Sequence, residues 1–340
     1  MGATTASGLI EHPGLWRGEA FWQRDDWEVQ LAGDEVDQLE AAAAGCRDRP
    51  VESIGKDDFV LEAMAGRLTK VQRQLEEGAG FAFVRGLPIE RFDKEQLRRM
   101  FWGIAVHLGT PVSQSASGER IFSVADAGYA PDDARSRGPN TSRRLSFHTD
   151  RCDVIGFCCH RQARSGGENY IVSSMALYNE IFERRRDLLA VLCEPFYYLR
   201  HTVDGGNDQL WCRQPVFSFC EGHFAANLLR VLIDRAHAHP DLPDLTPEQI
   251  EALDLVESLA SDPTMHATFR QEPGDMVFIN NWVTLHKRSA FEDWPEHERR
   301  RHILRIWLSM PNSRPLDPMF AGNYGSVKAG SIRGGMKPKI

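Results

Sequence analysis

The residues most able to do chemistry in this sequence are two histidines and an aspartate, which lie in two separate segments. The first segment, Phe147-His-Thr-Asp, places an imidazole and a carboxylate two residues apart. In a strand, such residues project from the same face, so His148 and Asp150 could share an iron(II), manganese(II) or zinc(II) ion. This spacing alone is weak evidence. The similar pair His237 and His239 is interpreted as the end of a solvated helix, without a metal.

The second segment is an apolar run that starts at the turn around Gly274 and reaches His286. It predicts a buried strand that ends in a histidine. An imidazole among apolar neighbours needs a partner for its ring nitrogens. That partner is either a metal ion shared with His148 and Asp150 or a buried hydrogen bond, and the segment alone favours the hydrogen bond.

An arginine-rich segment follows His286. If it is extended, Arg301, Ile303 and Arg305 share one face, and two guanidinium groups facing an interior need anions. Arginine suits bidentate carboxylate recognition, but a pair of structural salt bridges is the alternative. Two histidines and one carboxylate would form a facial triad that leaves open iron positions for a 2-oxo acid and O₂. An arginine 15 residues past His286 could then hold the far carboxylate of that acid.

The elements that must position these residues are mainly strands, with helices before and between them. Apolar runs bounded by turn residues predict strands at 81–86, 153–159, 169–174, 196–201, 216–219, 276–280 and 303–310. Helical periodicity and caps predict helices at 58–76, 94–108, 174–192, 224–237 and 246–260. Strands from distant regions with flanking helices indicate an antiparallel barrel or sandwich. A doubly wound parallel sheet is disfavoured, since no G-x-G-x-x-G or P-loop pattern occurs.

The chain is interpreted as one catalytic domain over residues 1–340. Residues 1–78 are acidic and predict a helical N-terminal extension, and residues from about 79 to 335 form the core. The segment 111–145 is long and polar, which is uncommon in compact domains unless it is functional. We therefore expect it to be a loop that closes over the site like a lid.

The composition of the chain narrows the kinds of partner and location that are expected for it. The formal net charge is −8 and the arginines are dispersed among acids, so a nucleic-acid partner is not expected. No signal-peptide core and no apolar run of membrane-spanning length occurs, which predicts a cytoplasmic protein without a membrane partner. The seven cysteines include no C-x-x-C pair and are expected to be buried free thiols. The sequence is compatible with a homo-oligomer.

The sequence resembles the taurine dioxygenase superfamily of Fe(II)/2-oxoglutarate-dependent oxygenases, and within it the clavaminate synthase-like members. The resemblance extends from about residue 78 to 335 and rests on four motifs in the family's order. They are Phe147-His-Thr-Asp, Ser165-Gly-Gly-Glu-Asn, Gly274-Asp-Met-Val-Phe-Ile-Asn-Asn with His286, and Arg301-His-Ile-Leu-Arg-Ile-Trp-Leu.

The resemblance implies a double-stranded β-helix (jelly-roll) core, with iron held at its open end by His148, Asp150 and His286. It also implies that the cofactors are Fe(II), 2-oxoglutarate as co-substrate and O₂, with release of CO₂ and succinate. Family members that halogenate replace the carboxylate ligand with a small residue. Because this chain keeps Asp150, hydroxylation or a related oxidation of a small molecule is expected.

The same resemblance assigns the two arginines. Arg301 matches the arginine that binds the distal carboxylate of 2-oxoglutarate, and Arg305 matches a position that often meets an anionic substrate. Asn169 stands where relatives often place a threonine that hydrogen-bonds 2-oxoglutarate, and its amide can still donate a hydrogen bond. The expected substrate is therefore anionic or amino-acid-like.

Two alternatives stay open at this stage. A zinc-dependent hydrolase could use the same three ligands, but it would act without oxygen and leave Arg301 without a purpose. A non-catalytic jelly roll could bind a small molecule, since a fold does not establish chemistry. The intact ligand set and co-substrate arginine argue against that second alternative.

Overall fold

The computed structural model describes residues 8–129, 138–200, 204, 207 and 209–338. The strands in these ranges are β1 (Glu28–Gln30), β2 (Phe81–Arg85), β3 (Thr110–Val112), β4 (Ile121–Val124), β5 (Val154–Arg161), β6 (Ser165–Gly166), β7 (Asn169–Ser173), β8 (Phe196–Leu199), β9 (Trp211–Gln214), β10 (Phe217–Cys220), β11 (His223–Ala226), β12 (His266–Phe269), β13 (Met276–Asn280), β14 (Thr284–Arg288), β15 (Phe291–Glu292) and β16 (His302–Ser309). The α-helices are α1 (Gly33–Gly45), α2 (Ala65–Glu76), α3 (Lys94–Leu108), α4 (Ser174–Arg184), α5 (Arg186–Cys193), α6 (Arg230–His237), α7 (Pro247–Ser261) and α8 (Ala321–Tyr324).

The largest sheet has seven strands. Its order is β1–β2–β13–β5–β16–β3, and β4 also pairs with β16 on the edge that β3 uses. The β1–β2 pair is parallel and the other pairs are antiparallel, so the sheet is mixed. A smaller antiparallel sheet has the order β12–β7–β14.

The two sheets pack face to face through large apolar side chains. On β2, Phe81 and Phe83 lie in a core shared with the smaller sheet, whereas Ala82 and Val84 lie in a core shared with helices α1–α3. This alternation follows from the two-residue repeat of a strand. Phe269 of the smaller sheet lies with its ring centroid 5.5 Å from those of both phenylalanines, which closes a two-sheet sandwich.

Helices cover the outer faces of this sandwich. Helices α1–α3 pack on the large sheet, and α4–α7 pack on the smaller one. α3 begins at a capping box, in which the Asp93 carboxylate accepts from the Gln96 backbone N–H at 2.8 Å, as expected for a helix start. The N-terminal segment is not only helical as predicted, because its β1 forms the edge of the large sheet. No described helix could cross a membrane.

Several predicted elements are confirmed, among them α3, β13 and, within a residue or two, α7 and β16. Two helix predictions are wrong in part. Residues 223–226 form the second strand of a β10–β11 hairpin, so the predicted helix at 224–237 begins only at Arg230. The predicted helix at 174–192 is broken at Arg185, whose backbone is not helical and whose guanidinium pairs with Asp187 and Glu251.

The segment 111–145 is more ordered than the loop predicted for it. The last two residues of β3 and all of β4 lie within this segment, and both strands pair with β16. Its polar composition hid these short strands, which have only three and four residues. Residues 130–137 lie outside the described residues, and the lid role of this segment stays a prediction.

Candidate metal centre

The two histidines are brought together by their backbones. His148 and His286 exchange two N–H···O bonds of 3.0 Å in an isolated antiparallel bridge. Such a pair holds its side chains on the same face, and the imidazole centroids lie 4.5 Å apart. Residues 147–150 do not form the strand assumed from the sequence. His286 lies inside β14, the strand after β13, rather than at the end of one long strand.

Asp150 is the third member of the group, and Asn281 fixes the position of its backbone. Its backbone N–H donates to Asn281 Oδ1 at 2.9 Å, while Asn281 Nδ2 donates to the Cys152 carbonyl at 3.2 Å. Asp150 Oδ2 then lies 3.3 Å from His286 Nε2 and 3.8 Å from His148 Nε2. One nitrogen or oxygen from each of the three residues lies within 4.8 Å of the others, so one ion could contact all three.

The protonation of the group suits a cation. His148 Nδ1 lies 2.8 Å from the Ser146 carbonyl. A carbonyl only accepts, so Nδ1 carries the proton and Nε2 keeps its lone pair toward Asp150. Burial, with a contribution from His286, lowers the pKa of His148 to about 4. Burial acts to raise the pKa of Asp150, but the contact with His286 and the charge of Arg305 together hold it below its ordinary value.

The donor set of two imidazoles and one carboxylate therefore fits a transition-metal ion such as iron(II). His237, which forms a metal-like pair with His239 in the sequence, does not offer such a donor set. It is buried rather than solvated, and its two ring nitrogens are engaged by the Pro243 carbonyl at 2.6 Å and the Tyr197 N–H at 3.4 Å. Within the described part of the chain, His148, Asp150 and His286 are the group found that could hold an ion.

Arg301 is a buried cation with spare donors. It is 4% exposed, and its Nε and Nη1 have no hydrogen-bond partner among the described residues. Burial lowers its pKa to about 10, so it stays charged at neutral pH. Its backbone N–H donates to Asp293 at 2.7 Å, and its guanidinium lies over the Phe291 ring. A buried unpaired guanidinium is costly, so this environment fits a bound carboxylate.

Asn169 is the first residue of β7 in the smaller sheet. On β7 it is the register partner of Arg288 of β14, and its Nδ2 is buried without a partner in the described ranges. Burial and the nearby charge of Arg301 lower the pKa of Arg288 to about 9. Arg288 itself donates to backbone carbonyls, including that of Thr141 at 2.7 Å. The spare donors thus include the Asn169 amide and the Arg301 guanidinium.

Arg305 lies on strand β16, between β5 and the edge strands β3 and β4, and close enough to lower the pKa of Asp150. Its Nε donates to Gln114 Oε1 at 2.7 Å, and its guanidinium carbon lies 5.4 Å and 5.1 Å from the centroids of Phe122 and Trp307. One sequence expectation needs correction here. The register of β16 against β5 shifts just after residue 302, so the regular alternation assumed for 301–305 holds only beyond that point.

Two residues with evident roles were missed by the sequence analysis. Asn281 positions Asp150, and its signal in the sequence was its place directly after the buried strand β13, which ends at Asn280. Gln114, which lies 191 positions from Arg305 in the sequence, holds it through two hydrogen bonds. Its Oε1 accepts from Arg305 Nε at 2.7 Å, and its Nε2 donates to the Arg305 carbonyl at 3.1 Å. No local pattern marks Gln114, since its partner is set only by the pairing of β3 and β4 with β16.

Comparison with known proteins adds independent evidence. The family model described as taurine catabolism dioxygenase TauD, TfdA family, matches residues 47–307. The chain is similar to FR-33289 synthase of Streptomyces rubellomurinus, 28% identical over 92% of this chain and 95% of that protein. It is also similar to the taurine hydroxylase-like protein SAT17 of Stachybotrys chartarum, 25% identical over 94% and 86% of the two chains.

A solved structure shares the fold. Asparagine oxygenase in complex with Fe(II), 2S,3S-3-hydroxyasparagine and succinate superposes with a TM-score of 0.65. It is 16% identical, and the match covers 83% of this chain and 93% of that one. At this identity the likeness supports the mixed sheet with flanking helices and says nothing by itself about the substrate.

Proposed function

Because the chain belongs to the taurine catabolism dioxygenase TauD, TfdA family, we propose that it hydroxylates a small anionic or amino-acid-like molecule at the His148, Asp150 and His286 centre. The chain is an oxidoreductase of the class that uses Fe(II), 2-oxoglutarate and O₂. The proposal adds the residues, the reaction type and the kind of substrate. It also takes the two facing sheets as a jelly-roll core and residues 1–340 as one catalytic domain.

In this proposal the three ligands act as a preformed cradle. The His148–His286 backbone bridge fixes the spacing of the imidazoles, and the Ser146 carbonyl keeps the Nε2 lone pair of His148 free for the ion. Asn281 fixes the carboxylate side of the cradle through the Asp150 backbone. When bound, iron and 2-oxoglutarate supply the activation of O₂, with release of CO₂ and succinate.

The observation that carries the proposal is the buried guanidinium of Arg301, whose Nε and Nη1 have no hydrogen-bond partner in the described part of the chain. These atoms can donate to the distal carboxylate of 2-oxoglutarate in the two-point manner that arginine favours. In this proposal the Asn169 amide, whose Nδ2 has no partner among the described residues, adds a donor in the role that a threonine has in relatives. The zinc hydrolase alternative leaves this buried cation without a purpose.

Arg305 is proposed to receive an anionic group of the substrate. Gln114 accepts from its Nε at 2.7 Å and donates to its backbone carbonyl at 3.1 Å, which fixes the side chain on β16. The rings of Phe122 and Trp307 hold the guanidinium near Asp150. That asparagine oxygenase was solved with an amino-acid product supports a search that begins with amino acids and other small anions.

The test follows succinate formation under air with Fe(II) and 2-oxoglutarate while small anions and amino acids are screened for stimulation. Truncating one partner of a buried charge pair costs about 2–5 kcal/mol. Arg301→Gln should therefore raise KM for 2-oxoglutarate roughly thirtyfold or more, and Arg305→Gln should raise KM for the stimulating anion instead. Arg164→Gln, at an exposed ion pair with Glu292, should change neither.

Equal effects of the Arg301 and Arg305 substitutions on both KM values would contradict the assignment of roles. Turnover that needs no oxygen and is supported by zinc would favour the hydrolytic alternative. Stimulation only by uncharged molecules would contradict the proposed substrate class.

A further inference from the structure

A small cavity adjoins Asp150. Its volume is about 60 Å³, which has room for roughly four to six water molecules. Its charged lining consists of two carboxylates, Asp150 and Asp204, and two guanidiniums, Arg151 and Arg200. Both arginines donate to Asp204 Oδ2, at 2.6 Å and 3.2 Å. Since these four charges balance, the uncharged polar groups of the lining decide what the cavity can bind.

The uncharged lining includes a buried amide whose carbonyl oxygen is left for a ligand. Gln214 is 1% exposed, and its Oε1 has no hydrogen-bond partner among the described residues. Its Nε2 donates to Asn227 Oδ1 at 2.6 Å, and Asn227 Nδ2 donates to the Tyr324 hydroxyl at 2.6 Å. These two bonds fix the orientation of the Gln214 amide. A buried carbonyl oxygen without a donor costs free energy, so a ligand that brings a donor is favoured.

The lining also includes a buried donor. Trp307 lines the same cavity, and its Nε1 is buried without a hydrogen-bond partner within the described ranges. An indole N–H can only donate. A ligand that satisfies both residues must therefore present a donor to Gln214 and an acceptor to Trp307 within one compact group. An amide carries an N–H donor and a carbonyl acceptor on the same carbon atom and has no charge.

We propose that this cavity binds an uncharged amide group of the prime substrate, whose N–H donates to Gln214 Oε1 and whose carbonyl accepts from Trp307 Nε1. Gln214 and Trp307 are then specificity-determining residues. The inference rests on the proposed function, because a group in a cavity lined by Asp150 lies beside the metal centre. It narrows the substrate class to anionic or amino-acid-like molecules that also carry an amide.

The test uses three probes of nearly equal shape, acetamide, acetone and acetate. Acetone and acetate keep an acceptor but lack the N–H, and acetate adds a charge. The full chain is loaded anaerobically with Mn(II) and 2-oxoglutarate, and the relaxation of each probe's methyl protons is titrated. A saturable, metal-dependent enhancement reports binding near the centre. Acetamide should bind about fivefold more tightly than acetone, as expected for one additional hydrogen bond, and acetate should not compete with it.

Two variants separate the roles of the two residues. Gln214→Met keeps the length of the side chain but removes the acceptor, so acetamide should fall to the affinity of acetone while acetone itself is unchanged. Trp307→Phe removes the donor, so acetamide and acetone should both weaken severalfold and keep their ratio. Gln72→Met is the matched control, because it removes a side-chain amide that donates to the Leu108 carbonyl at 2.8 Å, between α2 and α3. It should bind all three probes as the unmodified protein does.

The comparison of probes in the unmodified protein tests the inference even where a variant fails to fold. Equal binding of acetamide and acetone there would overturn it. An acetamide preference that persists in Gln214→Met, or tighter binding of acetate that depends on Gln214, would also overturn it. No relaxation enhancement in protein that has bound Mn(II) and 2-oxoglutarate would overturn it while leaving the proposed function standing. Failure to bind Mn(II) and 2-oxoglutarate would count against both.

Discussion

At the scale of single residues, the centre depends on side chains that fix other side chains. His148 and His286 are the candidate ligands, but the Ser146 carbonyl sets the tautomer of His148. Asn281 ties the Asp150 backbone to that of Cys152 through its two amide atoms. Outer contacts of this kind orient metal ligands and tune their affinity. Contacts within the protein therefore help to fix the geometry of the triad.

Asn281→Ala should weaken Fe(II) binding because the Asp150 backbone loses its acceptor. Loss of such outer contacts typically costs ten- to a hundredfold in metal affinity, and we expect an effect in that range. Anaerobic titration with Fe(II) measures it. Asn312→Ala is the matched control. It also removes a side-chain amide that donates to a backbone carbonyl, that of Gln72, but this contact lies away from the metal centre. Equal Fe(II) affinity in all three proteins would contradict a positioning role for Asn281.

The sequence could predict the ligand residues but not how they meet. His148-Thr-Asp150 and His286 stand out as residue types, and Arg301 follows from its distance to the second histidine. Their apposition comes from one backbone bridge between segments 138 positions apart, which no local pattern encodes. Gln114 is unpredictable for the same reason, since its clamp on Arg305 exists only once β16 is paired.

At the scale of elements, β16 connects the parts of the site. All eight of its residues are buried, and it pairs with β5 on one side and with β3 and β4 on the other. The register shift just after His302 separates the Arg301 end from the regular strand that carries Arg305. The strand was predictable from its apolar residues. The shift was not, because it depends on the partner strand β5.

Local helix propensity led to a wrong prediction in the segment that follows β10. Residues 223–226 favour a helix by composition, yet they pair with residues 217–220 in a hairpin. The turn residue Glu221 has a positive φ of 50° and is followed by Gly222 at 82°. This tight turn, which a glycine accommodates, brings the second strand back onto the first. Tertiary pairing thus overrides helix propensity there.

The C-terminal segment is held at the site by a buried ion pair. Arg333 Nε donates to Asp153 Oδ1 at 2.7 Å, and the two side chains are 0% and 1% exposed. Asp153 also accepts from Trp282 Nε1 and from the Met310 N–H, each at 2.8 Å. This segment lies beyond the part of the chain that the family model matches, and its Met336 lines the cavity next to Asp150.

Arg333→Met should lower the free energy of unfolding by about 3–5 kcal/mol, because it leaves the Asp153 carboxylate buried and unpaired. Chemical denaturation measures the change. Arg164→Met removes an exposed pair with Glu292 and should cost about 1 kcal/mol or less. Adding Asp153→Asn to the Arg333 variant should recover part of the loss. A single-variant cost as small as that of Arg164→Met would show that the ion pair does not hold the segment.

At the scale of the whole molecule, the chain forms four layers. Helices α1–α3, the large sheet, the smaller sheet and helices α4–α7 follow one another. The sequence predicted a mainly β protein with flanking helices, because strand and helix periodicities are local signals. It could not give the strand order, in which β13 lies between β2 and β5 and β16 lies beside β5. Such pairings join residues far apart in the chain.

Burial of one histidine predicts how the stability of the whole molecule responds to acid. Burial, aided by the charges of Lys94, His160, Arg161 and Arg301, lowers the pKa of His302 to about 3. The folded protein keeps this ring neutral, whereas the unfolded chain takes up a proton below about pH 6.5. The unfolded state therefore binds more protons between these two values, and stability must fall as the pH drops through that window.

His302→Gln removes this titration and can keep the hydrogen bond to Ser123. The free energy of unfolding of the unmodified protein should therefore fall faster on acidification than that of the variant. The difference should amount to at most about 1.4 kcal/mol per pH unit between roughly pH 6.5 and 3. Denaturant unfolding at about pH 4.5, 5.5, 6.5 and 7.5, on both sides of the ordinary histidine pKa, measures it. Parallel pH profiles would contradict a neutral buried His302.

The most direct test of the central claim is the visible difference spectrum of the metal-free protein mixed anaerobically with Fe(II) and 2-oxoglutarate. It needs no knowledge of the prime substrate. A charge-transfer band from chelated 2-oxoglutarate should appear, vanish in His148→Ala and require a higher 2-oxoglutarate concentration in Arg301→Ala. A band that persists unchanged in both variants, or no band in a protein that instead binds zinc tightly, would contradict the assignment of these residues.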